Sequence, residues 1–120
     1  MIKGLAGASI WSADQNNLVP FYRDTIGLPI AFEAPAFVVF GDANAPTLGI
    51  GTHSEVNGHA TDPFRHMVAL SSDDLDADYE RIKAAGVEFI EPPTQHESLR
   101  IATLKDPEGN LVQLFQFEQT

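Results

Sequence analysis

The sequence predicts an α+β fold built from two copies of one strand–helix–strand–strand–strand module, and three observations predict it. Each half of the chain opens on an apolar strand-like run, then passes through a segment whose apolar residues recur at helical spacing. Each half then continues into three short strand-like runs separated by turn residues. Displacing the chain on itself by about sixty residues lays "GASIWSAD" on "MVALSSDD", so that Gly7 falls on Met67, Ser9 on Ala69 and Asp14 on Asp74.

The elements follow in order. Residues 4–11 make a mostly buried strand. In "SADQNNLVPFYRDTIGLP", cap-type residues precede Leu18, Phe21, Tyr22 and Ile26, which share one helical face. An interior proline removes an N–H and costs about 3 kcal/mol, so the helix is expected to start at Asn16 or Asn17 with Pro20 in its first turn. Gly27 ends it. The strands "PIAFE", "AFVVFG" and "PTLGIGTH" are separated by Ala34-Pro35 and "GDANA". The aperiodic stretch "SEVNGHATDPF" links the two modules, 1–54 and 65–120, of a single domain spanning 1–120. "RHMVALSS" opens the second module as a strand. A helix follows in "DDLDADYERIKAAG", with Asp73 as the expected cap, Leu75, Tyr79 and Ile82 as the buried stripe and Gly86 as the stop. The strands "VEFIEPP", "LRIATLK" and "LVQLFQFE" complete the chain, the last two joined by a type I "DPEG" turn. Phe21, Tyr22, Phe40, Tyr79 and Phe89 are assigned to the core.

With 120 residues, 43% of them hydrophobic and 20% charged, the composition is that of a soluble domain able to bury about two thirds of its unfolded surface. The net charge of -10 argues against nucleic acid or an anionic membrane as principal partner, and favours a neutral or cationic small molecule. There is no cysteine, so a disulfide framework and a thiolate metal site are excluded. "MIKGLAGASIW" is short and broken by glycine; it suits a strand better than a secretory signal or membrane span, and the cytoplasm is the expected location.

Three motifs, "PFYRDTIGLP" after the first strand, "DDLDADYERIKAAGVEFI" after a middle strand and a terminal "DPEGNLVQLFQ", resemble the vicinal oxygen chelate superfamily of glyoxalases, extradiol dioxygenases, epimerases and bleomycin-resistance proteins. The resemblance spans essentially the whole chain. It implies a glyoxalase-like fold in which two βαβββ modules curl mixed sheets around a cup, completed within one chain or across a homodimer. A homodimer is expected. Enzymes of that family hold a divalent metal at positions that fall here on Gly7, Gly49, Met67 and Gln113. Two glycines, a thioether and an amide are poor ligands for Ni²⁺, Zn²⁺, Mn²⁺ or Fe²⁺, so no cofactor is expected at that site. The alternative is a displaced metal site drawn from His53, His66, His96 and Gln113, with Glu97 beside His96 in the "PPTQHES" loop. His66 would join it if a bulge shifted the strand by one residue. His59, in the linker, is expected to be solvated.

Without a metal the cup becomes a cavity for a small organic molecule. Gly7 and Gly49 would leave room. Trp11, Met67, Phe115 and Phe117 would form apolar walls, and Ser9 and Gln113 would orient the guest. The competing reading is that these side chains fill the space as core. Asp14, Asp73, Asp74, Asp76 and Asp78 serve as helix caps and solvated charge, or as an acidic rim for a cationic guest. The expected function is binding or sequestration of an aromatic or cationic ligand. The alternative is a metal-dependent lyase, isomerase or dioxygenase on unusual ligands; no catalytic residue is assigned.

Overall fold

In the computed structural model, which describes residues 1–117, the chain divides into two units, Met1–Gly58 and His59–Thr120, and the division falls inside the aperiodic stretch at 54–64. The first unit contains β1 (Gly7–Ser12), a 3₁₀ turn (Gln15–Asn17), a π-helical segment (Phe21–Ile26), β2 (Ile30–Ala34), β3 (Phe37–Phe40) and β4 (Thr47–Thr52). Its sheet order is β1-β4-β3-β2, with β1 parallel to β4 and the other pairs antiparallel. Alternation sends Val38, Phe40, Leu48 and Ile50 to the helix side, where all are buried together with Leu18 and Tyr22. The Tyr22 ring lies 6.4 Å from Phe40, and each such side chain contributes about 1.5–3 kcal/mol of burial.

The second unit contains β5 (Val68–Ser71), α1 (Leu75–Ala84), β6 (Phe89–His96), β7 (Leu99–Lys105) and β8 (Leu111–Phe117). Its order, β5-β8-β7-β6, again pairs the first strand parallel with the last. Leu75, Ile82, Ala102, Leu104, Val112 and Leu114 are buried. The register of β6 on β7 shifts after Phe89 and again between Glu91 and Thr94, where Pro92 and Pro93 lack ladder donors.

The repeat extends to single hydrogen bonds. Ser12 Oγ accepts from the Asp14 N–H, and Ser72 Oγ accepts from the Asp74 N–H. Asp14 and Asp74 then cap the following helical segments through the Asn16 and Ala77 N–H groups. A side chain on the last strand of each sheet also holds the helix start: Gln15 N–H donates to Thr52 Oγ1 (3.0 Å), and Leu75 N–H donates to Gln116 Oε1 (2.8 Å). Both modules therefore tie helix to sheet at the same place.

Four expectations are corrected. The first helix does not run on from Asn16 or Asn17; Asp14 caps a separate 3₁₀ turn, and Pro20, with no N–H to donate, precedes the π-helical segment closed by Gly27 at φ +89°. Asp74 rather than Asp73 caps α1, because its side chain reaches the Ala77 N–H while the Asp73 carbonyl accepts from Gln116 Nε2. Strand β5 begins at Val68, so His66 and Met67 precede it. Strand β6 runs through the prolines to His96, which is therefore a strand residue, and the turn is confined to Glu97, at φ +54°, and Ser98. Tyr79 and Phe89 are half-buried, stacked edge to face at 4.7 Å. The terminal turn is as expected: Gly109 N–H donates to the Asp106 carbonyl at 3.1 Å.

Candidate functional site

Each sheet has a helix side and an open side. On the open side of the first, Ser9 and Trp11 from β1 lie opposite Gly49 and Gly51 of β4, which in turn face Val39 and Phe37 of β3. The Trp11 and Phe37 ring centroids are 5.4 Å apart, and His53, just past β4, meets Trp11 at 5.8 Å. The two glycines let these rings lie against the sheet. A Cβ at Gly51 would come 2.5 Å from the Trp11 ring and 2.7 Å from the Phe37 ring, and one at Gly49 would overlap the edge of the Phe37 ring. The expectation that Gly7 and Gly49 leave room for a guest is thus corrected. Phe37 fills the space at Gly49, and the Thr47 carbonyl closes off Gly7. Trp11 remains 42% exposed, and Ser9 is exposed beside it.

In the second sheet the open side holds a cleft of about 480 Å³, lined by Phe64, Met67, Ile90, Glu91, His96, Ile101, Thr103 and Gln113. Glu91, Thr103 and Gln113 occupy one rung across β6, β7 and β8. Thr103 is 6% exposed and Gln113 is half-buried, and neither side chain makes a hydrogen bond among the described residues. The His96 Nε2 lies 3.2 Å from Glu91 Oε1. Met67 and Gln113 thus both line the cleft. Phe115 follows Gln113 on the same side and stacks on Phe117 at 6.1 Å, outside the cleft lining.

A family model describing the Glyoxalase/Bleomycin resistance protein/Dioxygenase superfamily matches residues 4–114. The chain belongs to this superfamily. It is 25% identical over 115 residues to the uncharacterized protein YetH of Bacillus subtilis (strain 168), covering 92% of this chain and 96% of YetH. Among solved structures, a protein from Agrobacterium tumefaciens str. C58 superposes with a TM-score of 0.79 at 22% identity, covering 97% of this chain and 95% of that one. TioX from Micromonospora sp. ML1 does so with a TM-score of 0.74 at 18% identity, over 95% and 99% of the two chains. These likenesses establish the glyoxalase-like fold.

The superfamily's divalent metal does not fit the residues present at its usual positions. The ladders place Ser9 opposite Gly49 and Ala69 opposite Gln113, so Gly49 and Gln113 are equivalent in the two modules, and neither offers an imidazole or carboxylate. The displaced set is not assembled either. Among the described residues no group of three or more His, Asp or Glu side chains is placed to hold an ion. His96 and Gln113 share the cleft, whereas His53 packs on Trp11, and His66 precedes β5 outside the cleft lining. Four of the five aspartates expected at an acidic rim have side-chain partners within the fold: Asp14 and Asp74 cap the helical segments, Asp76 pairs bidentately with Arg100 (2.9 and 3.0 Å), and Asp78 accepts from Ser72 Oγ at 2.6 Å.

Sequence reasoning missed Glu91, Thr103 and Ile101. The signal was present in "LRIATLK", whose alternation sends Ile101 and Thr103 to the side opposite Ala102 and Leu104. Glu91 was hidden by the bulge in β6, which breaks strict alternation. Among the described residues no helix is long and apolar enough to cross a membrane.

Proposed function

We propose that this superfamily member binds a small organic molecule in the cleft of the second module, with no metal at the usual family positions. The observation that carries the reading is the lining itself: Phe64, Met67, Ile90 and Ile101 supply apolar surface around the Gln113 amide, which has no hydrogen-bond partner among the described residues. Apolar walls with a few placed polar groups are the usual make-up of organic-ligand sites, and 480 Å³ lies in their size range. The chemistry is non-covalent: burial of aromatic surface against Met67 and Ile101, with Gln113 fixing orientation.

Titration of the isotope-labelled chain with planar neutral and planar cationic compounds tests it. Saturable shifts at Met67, Ile101 and Gln113 amides are expected. Shifts confined to other surfaces, or none, overturn it. Incubation with Ni²⁺, Zn²⁺, Mn²⁺ or Fe²⁺ followed by desalting is expected to leave no stoichiometric metal. Retention abolished by His96→Ala would favour metal-dependent chemistry instead. A homodimer belongs to the same proposal, supported by the exposure of Phe32 (58%) and Phe117 (61%); a monomeric mass in light scattering would remove it.

A further inference from the structure

We propose that Glu91, Thr103 and Gln113 act as one hydrogen-bonding row that selects planar ligands carrying an N–H donor beside a carbonyl acceptor on one edge, as a lactam ring does. The inference rests on the reading of the cleft as a ligand site and names the chemistry it takes. The three residues lie on one rung of three adjacent strands, where facing side chains start roughly 5 Å apart. They therefore form a straight polar line, flanked by Met67, Ile90 and Ile101.

Thr103 is the decisive member. It is 6% exposed, it lines the cleft, and its hydroxyl makes no hydrogen bond among the described residues. Among the described residues no buried side-chain oxygen or nitrogen lacks a partner, so the unbonded hydroxyl opens into the cleft, where a guest that displaces solvent must replace its hydrogen bond or lose affinity. The Gln113 amide, open in the same way, offers one acceptor and two donor hydrogens. Glu91 offers acceptors only; His96 lies at its Oε1, and Oε2 has no partner among the described residues.

The order acceptor, dual-role hydroxyl, dual-role amide sets the ligand chemistry. A neutral edge pairing a donor with an acceptor can satisfy all three groups. An ammonium, which only donates, leaves the donors of Thr103 and Gln113 unused. A hydrocarbon leaves all three groups unpaired.

The test uses the full chain and three probes of one shape: isoquinolone, its N-methyl derivative and isoquinoline. Isoquinolone should shift the Thr103 and Gln113 amides and bind at least about fivefold more tightly than the other two, the size of effect one neutral hydrogen bond gives. Thr103→Val and Gln113→Leu should each remove that preference. Thr103→Val should also leave the unfolding midpoint unchanged or raised, because no internal bond is lost. A lowered midpoint would mark a structural hydroxyl and overturn the assignment. Equal binding of all three probes in the cleft would overturn the selectivity while leaving the cleft a ligand site. No shift of any cleft amide would bring down both readings.

Discussion

Gly49 shows how one missing side chain shapes a surface. It lies opposite Val39 in the ladder, yet the ring that covers it is Phe37, two residues away on the same side of β3. Gly49→Ala would drive a methyl into that ring and is expected to destabilise by about 1–3 kcal/mol, as overpacking does, measured by urea unfolding. Phe37→Leu should recover part of this loss in the double variant, because the branched side chain withdraws from the glycine. If the two changes simply add, the ring is not what the glycine accommodates. Asp106 makes the opposite case, a side chain that organises backbone. It is 5% exposed and accepts from the Glu108 N–H at 2.8 Å, the Asn110 N–H at 2.9 Å and Asn110 Nδ2 at 2.9 Å. Asp106→Ala leaves those donors without their acceptor and should cost about 1–3 kcal/mol, with faster amide exchange at Glu108 and Asn110 as the local signature.

At the scale of elements, the clamp between last strand and helix start is the recurring device. Gln116→Ala removes the acceptor for the Leu75 N–H and the donor to the Asp73 carbonyl. A loss of about 1–2 kcal/mol is expected, with hydrogen exchange accelerating at Leu75 before it does in β8; uniform acceleration would mean that the clamp is incidental. None of this could be read from Gln116 alone, since its partners lie 41 and 43 residues away. The elements themselves were legible: period changes, glycine stops and the "DPEG" turn predicted every strand and both helical regions. What failed was local competition. Pro20 split the first helix, and two adjacent aspartates offered alternative caps that sequence alone did not separate. The site was half legible for a related reason. Alternation placed Gln113 on the open side, but whether a glycine leaves a hole depends on the neighbouring strand's register. Phe37, whose register partner is Gly51, also leans over Gly49, and a bulge carried Glu91 onto the rung of Thr103 and Gln113.

For the molecule as a whole, electrostatics sets two opposing responses. Seventeen acidic residues against seven basic ones give a net charge of -10, so the folded chain repels itself. Added salt screens that repulsion, and raising NaCl from low concentration to about 0.5 M should raise the melting temperature. Acid acts through specific pairs. The hydrogen bond from Arg100 holds the Asp76 carboxyl below its ordinary value, and so does that from Arg23 for Asp24. These two do not weigh equally. Arg23 and Asp24 are chain neighbours and can stay paired after unfolding, whereas Arg100 and Asp76 are 24 residues apart and separate. A carboxyl depressed only in the folded state contributes stability that is present above its unfolded value and lost as pH falls through its folded value. Mild acidification from neutrality should therefore leave stability level or slightly raised, as the net charge shrinks. It should then decline below the ordinary carboxylate range as Asp76 takes up its proton. Arg100→Gln should flatten the Asp76 part of that decline, while Arg23→Gln should leave the profile nearly unchanged. Equal effects from the two variants would mean that the local pair is also broken on unfolding.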